Sequence, residues 1–346
     1  MYDVVIVGTG QATGTVVAEL TRLDMKVAVV ESDRVGGTCT NWGCTPTKTL
    51  VASARAAHMA RRGADFGVNT SNLTIDFDKV MARVNGMRNS VSDGMASWLK
   101  DVTDFRRGQA SFVDDHTIQV GNEKLRADRI VVHTGTRARK PDVPGIDTVP
   151  WIDTKGILAL KSVPKHLLVV GGSYVGLEFA QAFRRLGSEV TVIQRGDRII
   201  SHEDPDVSQI AMEILADEGI KFYLNAELVR LENVDAGVAV HVLHDKEPMT
   251  LTGSHVLVAV GRQPNSDTLN LSAAGVETNS RGFIEVNDVG QTNVPHIYAL
   301  GDVNGRSAFT HTSVHDGQVF LEHLAGLPKK ISDRIPIYSM YIGLPE

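Results

Sequence analysis

Cys39 and Cys44 are the only thiols in 346 residues, and they lie in the stretch Gly36-Gly37-Thr38-Cys39-Thr40-Asn41-Trp42-Gly43-Cys44-Thr45-Pro46-Thr47-Lys48. Four intervening residues, with Gly43 to turn the backbone, can bring two Cα atoms within the roughly 4.4 to 6.8 Å that a disulfide spans. So short a loop loses little chain entropy when closed, so the pair suits reversible thiol chemistry better than stapling. Two ordinary buried thiols are the alternative at this point, since free cysteine packs well in cores. A metal site is not expected, because structural zinc takes four close ligands and this stretch offers two sulfurs and no histidine.

The elements that must position these sulfurs begin at the amino terminus. Val4-Val5-Ile6-Val7 has the continuous apolar character of a strand buried on both faces of a parallel sheet. It feeds Gly8-Thr9-Gly10-Gln11-Ala12-Thr13-Gly14, then a helix whose buried face is assigned to Val17, Ala18, Leu20 and Leu23. Val27-Ala28-Val29-Val30 follows as a second strand ending at Glu31. Such a βαβ unit offers backbone N–H groups to a pyrophosphate at the helix start and a carboxylate to a ribose hydroxyl. The third glycine of the usual fingerprint falls on Thr13, with Gly14 one place late. Helices are expected over Thr47 to Arg62, packing through Leu50, Ala54, Ala57 and Met59, and over Phe77 to Leu99. Short strands run from Phe105 to Ile130, with turns at Asp114-Asp115 and Gly121-Asn122. Ile130 to Thr136 is an apolar strand ending in small residues, and Pro141, Pro144, Gly145 and Pro150 mark a linker.

The plan then repeats. Leu167-Leu168-Val169-Val170 leads into Gly171-Gly172-Ser173-Tyr174-Val175-Gly176, a helix carrying Glu178, and the strand Glu189-Val190-Thr191-Val192-Ile193. This second strand ends in Gln194-Arg195, with Arg198 nearby, where the first ends in an acid. Arginine offers bidentate donors to a phosphate, so this unit leans to NADPH over NADH, although both arginines also read as plain surface charges. Val256 to Gly261 mirrors the earlier strand ending at Gly135, and Ile297-Tyr298-Ala299-Leu300-Gly301-Asp302 presents an acid at a strand tip. A last helix runs from Phe309 to Leu324, where His311 and His315 are secondary candidates for acid-base work.

The length predicts more than one domain. A net charge of -6 without a basic run argues against nucleic acid as a partner. Neither a signal-peptide pattern nor an apolar run of membrane-spanning length is visible, so a soluble, cytoplasmic protein is expected.

Together these residues resemble the FAD-dependent pyridine nucleotide-disulfide oxidoreductases, the family of mercuric reductase, dihydrolipoamide dehydrogenase and glutathione reductase. The resemblance rests on the first dinucleotide fold, Gly-Gly-Thr-Cys39-x-Asn-x-Gly-Cys44-x-Pro, Thr134-Gly135, Gly176-x-Glu178, Gly261-Arg262-x-Pro264-Asn265 and Gly301-Asp302. It implies an α/β chain with two Rossmann-like dinucleotide-binding domains, the second inserted in the first: FAD on 1–150 with 266–330, NAD(P)H on 151–265, and the start of an interface domain at 331–346. It further implies that Gly8, Gly10, Glu31, Gly37, Thr38, Thr134, Gly135, Gly301 and Asp302 hold FAD. Gly171, Gly176, Arg195, Arg198 and Gly261 would hold NADPH, with NADH possible. Lys48 and Glu178 would stand near the flavin ring, Cys39 would exchange with substrate, and Cys44 would lie beside the isoalloxazine. Trp42 between the cysteines would narrow access. The implied activity is an NADPH-driven disulfide or metal-ion reductase of the mercuric reductase-like branch. A dihydrolipoamide dehydrogenase-like enzyme and a non-catalytic flavin-binding redox module are the alternatives. A full-length form is expected to be a homodimer, and Ile335 to Ile342 to be the first strand of its interface domain.

Overall fold

The computed structural model describes residues 1–343. The chain is α/β and builds two compact units, each with a Rossmann-like sheet, mixed in the first and parallel in the second. The first comprises residues 1–45, 88–137 and 262–338; the second comprises 46–87, 138–261 and the described residues from 339.

In the first unit the sheet runs Asp104–Arg107, Val27–Glu31, Tyr2–Val7, Glu123–Val132, Thr117–Val120, Ala110–Asp114, with Ile297–Ala299 also on Glu123–Val132. Val4 pairs with Val27 and Arg129, Val7 with Val30 and Val132, and Ala299 with Val132, all in parallel. This register brings the carboxyl ends of four strands level, which is where ligands gather in open α/β sheets. The strands hold that register because both faces are dry: Val4, Val5, Ile6 and Val7 are all buried, each contributing about 1.5 to 3 kcal/mol. The helix Thr13–Arg22 covers one face through Thr13, Val16, Val17 and Leu20. Ala18 and Leu23, assigned to that face from sequence, are exposed; the helix is rotated so that Val16 and Thr13 point inward instead.

In the second unit Lys221–Tyr223, Glu189–Ile193, His166–Val170 and His255–Val258 form a parallel sheet. An antiparallel sheet of Ala226–Val234, Gly237–His244 and Glu247–Gly253 joins it in the same unit. The helix Tyr174–Leu186 is buried along most of its length. The helix Cys44–Arg62 starts three residues before its expected boundary and Phe77–Val102 ends three residues after, both longer than the apolar pattern alone marks.

The two sheets repeat one wiring. Gly8 N–H donates to Val30 O at 2.7 Å and His133 N–H to Val7 O at 2.7 Å; in the second unit Gly171 N–H donates to Ile193 O at 2.9 Å and Ala259 N–H to Val170 O at 2.8 Å. Gly8 and Gly171 have φ of 99° and 114°, and a Cβ on either would strike the carbonyl oxygen of His133 or Ala259. Only glycine serves at these two crossings.

Ile335 to Ile342 is not a strand. A strand needs a neighbour to complete its ladder. Two of the backbone groups just there are instead taken by side chains of the second unit: Tyr341 N–H donates to Glu178 Oε1 at 2.8 Å and Gly343 N–H to Gln181 Oε1 at 2.7 Å.

Candidate active site

The first unit's glycine loop is tied to the end of the second strand. Glu31, buried, accepts from Thr9 N–H at 3.0 Å, from the Thr9 hydroxyl and from Asp33 N–H at 2.8 Å. Thr13 occupies the third fingerprint position, buried at the first turn of its helix. Gly37 lies close behind Gly10: a Cβ on it would come 3.1 Å from the Gly10 Cα. Thr134 and Gly135 are clamped by Asn265, which donates from Nδ2 to Thr134 O at 2.9 Å and from its backbone N–H to Gly135 O at 3.0 Å. Gly301 turns the chain after Ala299, and Asp302 then accepts from the Thr136 hydroxyl at 2.8 Å. Gly8, Gly10, Glu31, Gly37, Thr38, Thr134, Gly135, Gly301 and Asp302 therefore all belong to one unit, around level strand ends. The side-chain-free cradle at Gly8 and Gly10, with carboxylates at two strand tips, fits a dinucleotide.

The cysteines stand in the same unit. Cys39 lies on the helix Gly37–Trp42; Gly43, where a Cβ would come 3.0 Å from Thr38 O, lets that helix turn directly into Cys44–Arg62. Cys39 is a thiol, and it hydrogen-bonds the side chain of Cys44. That bond, then burial, then the neighbouring sulfur's charge push the Cys39 thiol well above its ordinary range, while a hydrogen bond with Thr310 opposes them. Cys44 is exposed, is the first residue of a 19-residue helix, and has its Sγ 3.3 Å from Thr310 Oγ1. Cys44 stands at a helix amino terminus, and Cys39 is the sulfur held as its protonated thiol. Exchange at Cys39 consequently needs a base to take that proton.

In the second unit the loop Gly171 to Gly176 repeats the cradle; a Cβ on Gly176 would strike Gly171 O. Gln194 Oε1 accepts from Gly172 N–H at 3.0 Å, the same bond that Glu31 makes to Thr9 N–H. A neutral amide thus holds the position of the first unit's acid. Arg195 beyond it is exposed, Arg198 is half-buried and donates to Ser201 O at 3.1 Å, and Gly261 closes the matching strand end with a φ of 112°. Lys48 and Glu178, 130 residues apart in sequence, meet in this unit: Lys48 Nζ is 2.9 and 2.7 Å from the two Glu178 oxygens, and the Tyr341 ring lies 4.5 Å from Nζ.

Two residues of the first unit belong to no motif in the sequence. His133 is buried behind the glycine loop, its Nδ1 on Leu300 O at 2.7 Å and its Nε2 accepting from Ala12 N–H at 3.3 Å. Asp316, 2 % exposed, accepts from Gly301 N–H at 2.9 Å, Asn304 Nδ2 at 3.0 Å and Arg334 at 2.8 Å, so it fixes the turn that presents Asp302. A lone acid on the inward face of the helix Thr310–Leu324 was the available signal for Asp316. His311 is exposed, and His315 has a buried Nδ1 with no hydrogen-bond partner among the described residues.

Burial holds the His133 ring below its ordinary pKa, outweighing Leu300 O, Asp316, Asp302 and Glu31, which raise it. An unfolded chain takes up that proton as pH falls below about 6.5, whereas the native ring refuses it. Its contribution to stability is complete above that pH and is lost as pH falls towards the folded value. His58, His166, His255 and His315 are displaced the same way, each chiefly by burial. Thermal midpoints measured between pH 7.5 and 5, roughly spanning this range, should fall on acidification, and His133→Asn should flatten that fall without abolishing it.

Two glycine cradles wired alike, with a pair of cysteines in the unit of the first, make up the site. The chain belongs to the pyridine nucleotide-disulphide oxidoreductase family, whose model matches residues 2–317. Members of this family generally use FAD and NAD(P)H. The chain is 34% identical over 333 residues to a mercuric reductase of Lysinibacillus sphaericus, covering 95% of this chain and 61% of that protein. It is 31% identical over 350 residues to a dihydrolipoyl dehydrogenase of Bacillus subtilis, covering 99% and 72%. The solved HOCl-induced flavoprotein disulfide reductase RclA from Escherichia coli superposes with a TM-score of 0.88 at 33% identity, covering 97% of this chain and 74% of that one; a Cu(II) complex of the same protein matches at 0.87. The chain thus spans about three-fifths of the mercuric reductase's length. No helix among the described residues is long and apolar enough to cross a membrane.

Proposed function

We propose that the chain carries the two-nucleotide part of a cytoplasmic, homodimeric flavoprotein reductase that passes electrons from NADPH through FAD to Cys39 and Cys44, and on to a small disulfide or a metal ion. The observation that carries this reading is the contact between the two sulfurs in the unit whose strand ends form the first cradle. Residues 1–150 and 266–330 would then serve FAD and 151–265 NADPH, with 331–346 opening an interface domain. Gly8, Gly10, Gly37 and Thr38 would take the pyrophosphate, Glu31 a ribose, and Asp302 with Thr134, Gly135 and Gly301 the polyol side. Bound FAD supplies two-electron exchange between a nicotinamide hydride and a dithiol. The chain's part is to place and protonate. Lys48, ion-paired to a buried Glu178, holds a fixed positive charge one helical turn beyond Cys44. A Cys39 thiolate displaces one sulfur of the acceptor as thiolate, and Cys44 then attacks Cys39 to release the other half and close the protein disulfide. Relatives named as a mercuric reductase and a Cu(II)-complexed disulfide reductase support a metal ion as the alternative acceptor.

Anaerobic titration of the purified chain with NADPH, followed by the visible flavin spectrum, tests the reading. A long-wavelength charge-transfer band at two electrons is expected; simple bleaching would mean that the sulfurs are not in redox contact with the flavin. Gln194 in place of an acid, followed by Arg195 and Arg198, supports NADPH. Arg195→Ala should therefore raise KM for NADPH about tenfold, a lost phosphate contact of about 1.4 kcal/mol, and leave KM for NADH unchanged.

A further inference from the structure

Beside the cysteines stands a cation that no acid among the described residues neutralises. Arg88, on the helix Phe77–Val102, lies with its guanidinium carbon 5.0 Å from the centre of the Trp42 ring. Its Nε is buried and has no hydrogen-bond partner, and no carboxylate pairs with it among the described residues. Its nearest charged influence is another cation, Arg34, which together with burial lowers its pKa. Arg34 is itself held by neutral amides, donating to Asn41 Oδ1 at 3.1 Å and Asn89 Oδ1 at 2.7 Å; its closest acid, Asp93, is 4.0 Å away and largely exposed. An arginine stem often packs on an aromatic ring for its apolar area alone. That explanation leaves the buried, unbonded Nε and the neighbouring like charge as uncompensated costs. An anion arriving at Arg88 would offset both.

The place of this cation gives it a use. Trp42 follows Cys39 by three residues on the helix Gly37–Trp42, so the two side chains share a face, and Cys44 follows two residues later. We propose that Arg88, seated on Trp42 and reinforced by Arg34, is the docking point for a carboxylate of the acceptor, so that this protein prefers anionic disulfides. The planar guanidinium can take a carboxylate in bidentate fashion, which an ammonium cannot. The inference rests on the reading of Cys39 and Cys44 as the exchanging pair.

Stopped-flow exchange of the pre-reduced holoprotein tests it without turnover. The probes are dithiobis(nitrobenzoate), a dianionic disulfide, and dithiodipyridine, a neutral one. Arg88→Met should slow the dianionic probe about tenfold at low ionic strength and leave the neutral probe within about twofold. Arg88→Lys should fall between, and salt at about 0.5 M should shrink the difference between wild type and Arg88→Met. The neutral probe also reports any general damage to the fold, because damage slows both. A ratio of the two rates that is unchanged in both variants overturns the docking point while leaving the exchanging pair intact. Failure of the wild-type dithiol to react with either probe overturns the reading of the pair, and the docking point with it.

Discussion

Asp316→Ala should cost the first unit about 3 to 5 kcal/mol, the range for removing one partner of a buried ion pair. The figure applies undiminished because both ends are out of water: the Asp316 side chain is 2% exposed and that of Arg334 12%. Arg334, Gly301 N–H and Asn304 Nδ2 each lose a bond to the carboxylate together, Asn304 Nδ2 keeping its bond to Ala299 O at 3.1 Å. The Arg334 charge is then buried without compensation, although Thr312 O at 3.1 Å still accepts one of its bonds. Asp316→Asn keeps an oxygen for Gly301 and should cost roughly half as much, since only the charge is lost. Urea unfolding followed by far-ultraviolet circular dichroism reads the difference. Equal midpoints for wild type and Asp316→Ala would show that the acid does not hold this turn. Because Gly301 leads directly into Asp302, the alanine variant should also release bound flavin more readily, by equilibrium dialysis at a temperature where it remains folded.

Cys39→Ser should reduce NADPH-dependent disulfide turnover at least about a thousandfold, or about 4 kcal/mol of barrier. A serine hydroxyl neither forms the mixed disulfide nor accepts attack from Cys44, so the loss belongs to the chemical step and not to binding. Reduction of the flavin by NADPH should continue at close to the wild-type rate, because in the proposed reaction that half draws on the second cradle. Cys44→Ser should abolish turnover too, and with it the long-wavelength band of the reduced enzyme. Residual turnover within tenfold of wild type in Cys39→Ser, by about 1.4 kcal/mol or less, would mean that the acceptor takes its electrons elsewhere. The native arrangement adds a pH dependence of definite sign. The Cys39 thiol is pushed up by its bond to Cys44 and by burial, so exchange should accelerate as pH rises towards its raised pKa, until deprotonation no longer limits it.

Much of this protein is legible along the chain because its chemistry is local. A glycine loop between an apolar strand and a helix makes an anion cradle from backbone N–H groups alone, and the sequence shows it twice, at Gly8 and at Gly171. The strand Glu189–Ile193 follows from an apolar run closed by the polar Gln194. Less was legible where a side chain acts at a distance. Thr13 reads as a defect in the glycine fingerprint, yet the structure seats it fully buried at the start of its helix. Ala18 and Leu23 fit an apolar stripe but face outward, since the helix turns the Val16 face to the sheet.

The sequence by itself determined the class of fold, the two glycine cradles and the thiol pair, because short-range spacing suffices for each. Only the tertiary structure decided that Gln194 is the counterpart of Glu31, through matching bonds to Gly172 and Thr9. It alone brought Lys48 to Glu178, placed Asp316 beneath the Gly301 turn, and set Arg88 on Trp42 with no acid among the described residues to meet it. The physical reason is that the energy of a buried charge depends on which groups from distant segments share its cavity. No window along the chain contains that information.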